Sequence, residues 1–211
     1  MVGRFQIEIK TFILLSFLSV LLVDCKSSSK PKDNCLYTTA NLKSGDIILR
    51  KSYGLISEIV VIQLGDTLDI SHCGIIQKTN TGEFNVIHCL SKKVSDSDGV
   101  QICSLKHFLN DSKMESVRVV RFRADTNSVI SKRAEYYLEH KIPFDEKFDA
   151  ADSSAFFCSE FPIQIIKTGF NTDISEGSLK PKFSIFLNKK YFDEVRFTSV
   201  NRQELKTLPI H

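Results

Sequence analysis

The chain has 211 residues, of which 42% are hydrophobic and 25% charged, with nine Gly and five Pro. This composition excludes a disordered, collagen-like or low-complexity chain and predicts a globular domain with a sizeable core. The 28 basic and 25 acidic side chains leave a net charge of +3, so we predict no nucleic-acid partner.

The amino terminus has the pattern of an export signal. Two cations, Arg4 and Lys10, precede an apolar run at residues 11–23. A helix of that length reaches about 20 Å, which is short of the roughly 30 Å hydrocarbon core of a bilayer. A basic region followed by a short apolar run is typical of a secretory signal peptide, which we assign to residues 1–24.

Cys25 directly follows this signal and is itself followed by a polar segment rich in Ser and Lys. The arrangement resembles a bacterial lipoprotein processing site, at which the thiol is acylated and becomes the first residue of the mature protein, although Asp24 stands where a small residue is usual. We therefore predict an exported protein of the cell envelope, anchored to a bacterial membrane through a lipid on Cys25. Residues 25–41 would form a tether and residues 42–211 a single domain. The alternative is an ordinary signal peptide cut nearby.

The folded part alternates between short strands and helices. Strands are predicted at 47–50, 71–77, 84–90, 116–123 and 192–197, and helices at 54–64, 104–109, 128–140 and 157–168. Residues 80–82, Asn-Thr-Gly, suit a three-residue hairpin loop between the second and third strands. Asn127 or Ser128 would cap the third helix, and Gly169 would end the last one. The pattern predicts an α+β fold with a mostly antiparallel sheet packed against helices.

One thiol and two imidazoles stand out as candidates for chemistry. If residues 80–82 form the hairpin loop, His88 lies opposite Gly74, and His72 is its diagonal neighbour on the same face. Cys158 lies at the start of the last helix, where backbone N–H groups and the helix dipole lower the pKa of a thiol. A thiol nucleophile needs a base and a group that orients the base, so we predict Cys158, His72 and His88 in these roles.

Other polar residues have structural interpretations. Cys73 and Cys89 are opposed on the other face of the hairpin and are expected to be packed thiols, because a disulfide between adjacent strands is strained. Neighbouring His and Cys residues of one strand point to opposite faces, so they cannot bind one ion together, and we predict no metal and no cofactor. Glu160 either binds a substrate amine or stabilises the start of its helix, and the sequence leaves both open.

Five blocks of sequence, in this order, carry a family resemblance. They are Leu-Lys-Ser-Gly-Asp-Ile-Ile-Leu (42–49), Ser-His-Cys-Gly-Ile-Ile (71–76), Val-Ile-His (86–88), Pro-Phe-Asp-x-x-Phe-Asp (143–149) and Phe-Cys-Ser-Glu-Phe (157–161). Over roughly residues 42–170 the chain resembles the YiiX/YebB-like branch of the NlpC superfamily, circularly permuted papain-fold cysteine hydrolases. The resemblance implies a permuted papain-like fold with the nucleophile at a helix N-terminus. It places Cys158 at the family's nucleophile position, His72 at that of the base and His88 at that of the orienting group.

This resemblance also implies an activity. We expect a cysteine amidohydrolase or peptidase that cleaves an amide bond in a small peptide, such as a cell-wall peptide, through an acyl-thioester intermediate. Two alternatives stay open from the sequence. One is an acyltransferase of the lecithin-retinol-acyltransferase-like type, and the other is a non-catalytic envelope domain that binds a ligand or a metal.

Overall fold

The computed structural model describes residues 35–178 and 180–201. Its strands are β1 (Cys35–Tyr37), β2 (Ile47–Arg50), β3 (His72–Lys78), β4 (Phe84–Leu90), β5 (Gly99–Ser104), β6 (Arg118–Phe122), β7 (Phe192–Val195) and β8 (Ser199–Asn201). Its α-helices are α1 (Leu55–Leu64), α2 (Leu105–Asn110), α3 (Val129–Glu139) and α4 (Glu160–Phe170), and 3-10 turns occur at Met114–Ser116 and Phe183–Leu187. The predicted signal peptide and the acylation site at Cys25 lie outside the described residues. Among the helices described, none combines the length and the apolar character needed to cross a bilayer.

Six strands form one antiparallel sheet in the order β5-β4-β3-β2-β6-β7, while β1 and β8 pair separately. The α+β prediction with a mostly antiparallel sheet is confirmed. The hairpin register is also as predicted, since Ile75 pairs with Ile87. Its loop closes through the Thr79 amide, which donates to the Glu83 carbonyl at 2.8 Å, and Gly82 adopts a φ of 87°.

The structure differs from the predicted elements at three points. Strand β5 was not predicted, although it pairs with β4 along its whole length. Helix α3 is capped by the Asp125 carboxylate, which accepts from the Val129 amide at 2.7 Å, while the Ser128 side chain makes no capping bond. Helix α4 runs through Gly169 and starts at Glu160, so Cys158 precedes its first helical residue.

The core lies on both faces of the six-stranded sheet. Strand residues such as Leu49, Ile75 and Ile87 form one cluster with apolar residues of α3 and α4. Their chain neighbours, such as Ile48, point the other way and pack against Phe108 of α2. Because strand side chains alternate between faces, the buried apolar residues of β3 and β4 divide between the two clusters.

Candidate active site

The two predicted histidines are brought together. His72 Nε2 and His88 Nδ1 are 2.9 Å apart and hydrogen bonded, and the residues are only 3% and 5% exposed. Gly74 lies between them in the register, and a Cβ at that position would clash with Val86 and come within 3.1 Å of the His88 Cβ. The imidazole pair therefore depends on a residue without a side chain at position 74.

Arg50 and Phe108 complete this buried cluster, which we call the histidine face. The Arg50 guanidinium lies 4.2 Å above the centre of the Phe108 ring, and it pairs with Asp111 at 3.3 Å. Burial, together with the positive charge of Arg50, lowers the pKa of His88 to about 3. Burial, His88 and Arg50 likewise lower the pKa of His72 well below its usual value. Both imidazoles are therefore neutral at physiological pH.

Cys158 lies against two other thiols, on the side of the sheet that we call the thiol face. The Cys73 thiol donates to the Cys158 carbonyl at 3.0 Å, and the Cys89 thiol donates to the Phe156 carbonyl at 3.0 Å. Cys73 and Cys89 are both fully buried, whereas Cys158 is partly exposed. All three are free thiols, so the prediction of two packed thiols in the hairpin is confirmed. The segment leading into α4 thus rests on two strand cysteines.

The electrostatic environment of Cys158 differs from the prediction. The backbone amides of Ser159 and Cys158 lower its pKa, as expected at a helix start, but burial outweighs them and raises the pKa to about 12. The predicted lowering of the pKa is therefore wrong in direction, because burial destabilises the thiolate more than these two amides stabilise it. In this structure the sulfur carries its proton.

The sheet separates the thiol from the imidazoles. His72 and Cys73 are neighbours in β3 and point to opposite faces, and α4 packs on the face of Cys73. Among the side chains that the structure describes, at residues 38–178 and 180–198, the Cys158 sulfur forms no hydrogen bond with His72 or His88. The predicted contact between nucleophile and base is not formed, because α4 covers the face of the sheet opposite to the two histidines. The sequence alone does not reveal which face this helix covers. The catalytic roles of the two histidines stay a prediction.

Glu160 is buried rather than presented to a ligand. It is 1% exposed, and its carboxylate accepts from the Phe157 amide at 3.3 Å and from Gln164 at 3.4 Å. Burial raises its pKa to about 7. Of the two interpretations open from the sequence, the geometry favours the stabilisation of the start of α4.

Arg50 and Phe108 belong to the histidine face, although neither was predicted from the sequence as a site residue. Arg50 ends the buried strand β2 and pairs directly with His72 in the sheet. A cation at the end of a buried strand was the available signal, and it becomes informative only when the β2–β3 register is known. Phe108 lies on the short helix α2, and nothing in its local sequence indicates a contact with β3 or β4.

The described donor groups around the histidine and thiol faces do not form a metal site. Among the described residues, no group of three or more His, Cys, Asp or Glu is arranged to hold a metal ion. The His and Cys side chains that could act as metal ligands already have hydrogen-bond partners. The two imidazoles bind each other, and the Cys73 and Cys89 thiols donate to backbone carbonyls.

Comparisons with known proteins agree on the fold. Residues 41–204 match a family model described as permuted papain-like amidase enzymes of the YaeF/YiiX, C92 family. The chain is also similar to the crystal structure of metalloprotein yiiX from Escherichia coli O157:H7, with a TM-score of 0.52 and 19% identity. That match covers 80% of this chain and 94% of the other. No curated protein matches the chain significantly.

Proposed function

The chain belongs to the YaeF/YiiX family of permuted papain-like amidases, and we propose that it is an exported cysteine hydrolase with Cys158 as its nucleophile. Its substrate would be an amide bond in a small peptide, such as a cell-wall peptide. The metalloprotein name of the solved relative does not extend to this proposal, because the donor groups described above do not fit a metal ion.

The position of Cys158 carries the proposal. Of the three described thiols on the thiol face, it is the one that is partly exposed, while Cys73 and Cys89 are fully buried. Its sulfur also faces the backbone amides of Ser159 and of Cys158 itself. Amides fixed at the start of a helix are suited to stabilise the negative charge that develops during acyl transfer.

The reaction we propose has two stages. The thiol gives its proton to a base, and the sulfur attacks the carbonyl carbon to form a tetrahedral intermediate, whose oxyanion accepts from the backbone amide of Cys158. The C–N bond then breaks, and the departing amine takes up the proton. Water, activated by the same base, hydrolyses the acyl-thioester and regenerates the thiol.

For the base we propose His72, with His88 as the orienting group, because the sequence resemblance implies these roles for them and the two imidazoles hydrogen bond to each other. Since the imidazoles lie across the sheet from the sulfur, this assignment requires the segment before α4 to move relative to the strand ends during turnover. Glu160 is the competing base, because it belongs to α4 itself and has a pKa of about 7. A general base with a pKa near 7 is well matched to neutral pH.

The nucleophile is tested by replacing two cysteines separately. Cys158→Ala should lower hydrolysis of small peptide amides by at least about 10³-fold and abolish the acyl-enzyme seen by mass spectrometry. Cys103→Ala is the matched control, because Cys103 is also partly exposed but packs with the other core cluster. Full activity in the Cys158→Ala variant would refute the proposal.

The base is tested by the pH dependence of kcat/KM. His72→Ala should lower kcat/KM by at least about 10²-fold, whereas Glu160→Gln should leave the acidic limb of the profile in place. Loss of that limb in Glu160→Gln, with near-normal turnover in His72→Ala, would transfer the role to Glu160. Products formed with and without an added amine separate hydrolysis from acyl transfer.

A further inference from the structure

One side of helix α1 is apolar and open to solvent. Seven of the ten residues of α1 are aliphatic. Leu55, Ile56, Ile59 and Ile62 are 74%, 57%, 38% and 77% exposed. Their spacing places them along one side of the helix, which we call the apolar face of α1. Large aliphatic side chains clustered in this way on a protein surface mark an interaction site.

The opposite side of α1 is fixed to the domain. Ser57 is buried and its hydroxyl donates to the Ser71 hydroxyl at 2.6 Å, while Val60 and Leu64 pack against the main core cluster. At the other end, the Lys182 ammonium donates to the Gly65 carbonyl at 2.8 Å. The exposed face therefore belongs to a helix that is already docked by its other side.

Ion pairs add to this attachment near the start of the helix. Glu58 accepts from Lys51 at 2.8 Å and from Lys113 at 2.9 Å. These contacts satisfy the acidic residue in the first turns of α1, so the apolar face carries no unpaired carboxylate of its own helix. What remains toward solvent is the convex surface of a helix, formed by the four aliphatic side chains together with the exposed Gln63. A small-molecule site is normally concave, so this shape favours an extended apolar partner.

We infer that the apolar face of α1 docks onto a lipid bilayer. Cys25 precedes the first described residue, Cys35, by ten residues, and a chain of that length spans at most about 36 Å. A lipid on Cys25 therefore keeps the domain beside the bilayer, which makes the membrane the apolar partner at highest local concentration. The inference rests on the proposed acylation of Cys25 but not on the proposed chemistry of Cys158.

Helix α1 is also linked to the segment that carries Cys158. Lys182 contacts the C-terminal end of α1, and the adjacent Pro181 carbonyl accepts from the Ser159 hydroxyl at 3.0 Å. Residues 181–182 thus connect the end of α1 to the residue that follows Cys158. A bilayer docked on the apolar face would therefore contact a helix whose end is joined, through these two hydrogen bonds, to the segment that carries Cys158.

The experiment uses the absence of tryptophan from the sequence. Ile62→Trp places a single reporter on the apolar face, and Val94→Trp places one at an exposed apolar position elsewhere. With vesicles of phosphatidylcholine and phosphatidylglycerol that contain brominated lipid, the Ile62→Trp emission should shift to the blue and be quenched at least about twofold, because interfacial helices insert 5–10 Å. The Val94→Trp emission should change little.

Two results would overturn the inference. One is equal quenching, or none, in the two variants. The other is a blue shift of the Ile62→Trp emission that follows protein concentration without vesicles, which would identify a second copy of the chain as the occupant.

A double variant separates this inference from the proposed chemistry. In a Cys25→Ser background, which carries no lipid anchor, Leu55→Gln combined with Ile62→Gln should weaken vesicle binding at least about tenfold, since each removes a large exposed aliphatic side chain. Its hydrolysis of a water-soluble peptide amide should equal that of the parent. Conversely, Cys158→Ala combined with Ile62→Trp should lose hydrolysis and keep the quenching.

Discussion

The two faces of one hairpin carry different chemistry at the same end of the sheet. His72 and His88 lie on the histidine face, and Cys73 and Cys89, their immediate chain neighbours, lie on the thiol face beside Cys158. Two His-Cys pairs are thus divided by the pleat of the strands. Each histidine is adjacent to a cysteine in the sequence, yet the sheet backbone keeps the imidazoles and the thiols in separate environments.

Burial acts on the two faces with opposite sign. On the histidine face it lowers the pKa of the imidazoles, and on the thiol face it raises the pKa of Cys158 and Glu160. In each case the uncharged form is favoured, because removing a charge from water is costly. The faces therefore share a physical cause but respond to pH in opposite directions, and variants on each face can separate the responses.

The largest expected effect comes from filling the space between the imidazoles. Gly74→Ala introduces a Cβ against Val86 and within 3.1 Å of both the His88 Cβ and the Ile87 carbonyl, so we expect a loss of about 3 kcal/mol in unfolding free energy. Gly169→Ala is the control, since its Cβ would meet the flexible Arg133 side chain and Val129 at 3.2 Å. Urea unfolding followed by circular dichroism measures both. Equal stability of the two variants would show that the histidine face is not tightly packed.

The histidine face should make the protein sensitive to acid. His88 binds a proton below about pH 6.5 when unfolded but only below about pH 3 when folded. Between these values the unfolded state holds more protons, so stability falls as the pH decreases, by about 2 kcal/mol at pH 5 relative to pH 8. His72 adds to the loss in the same direction. His88→Gln should flatten this part of the curve, and an unchanged slope would contradict the assigned shift.

The thiol face should respond in the reverse sense. The Glu160 carboxyl loses its proton above about pH 4.5 when unfolded but only above about pH 7 when folded. Between these values the folded state holds more protons, so this residue lowers stability as the pH rises, by up to about 2 kcal/mol at pH 6 relative to pH 4. Glu160→Gln should remove that loss. Difference curves against the parent isolate each contribution, because the two slopes partly cancel in the intact protein.

Local sequence predicts the β3–β4 hairpin well, but it predicts strand β5 and the position of helix α4 on the sheet poorly. The loop at residues 80–82 sets the register of β3 and β4, so the contact between His72 and His88 follows from a short stretch of chain. Strand β5 has six residues and begins at Gly99, so no long alternating run marked it.

The face covered by α4 depends on packing between segments that are far apart in sequence. Helix α4 buries apolar residues around most of its first turns, including Phe161 and Ile163, and its local pattern fits either side of the sheet. The same limit applies to α1. Its aliphatic residues predict that one side of the helix packs against the core, but they do not predict which partner contacts the other side.

The smallest expected effect tests the separation of the faces directly. In the resting protein, His72→Ala should leave the pH profile of Cys158 alkylation unchanged, because the imidazole makes no contact with the sulfur and the thiol pKa of about 12 is set by burial. Labelling is followed by peptide mass spectrometry, with Cys103 as the internal reference. If the profile moves to higher pH in His72→Ala, the imidazole already acts on the resting thiol and the faces are not separate. If the alkylation profile stays unchanged while turnover falls, the His72 imidazole approaches the Cys158 thiol only during catalysis, as the proposed role of His72 as the base requires.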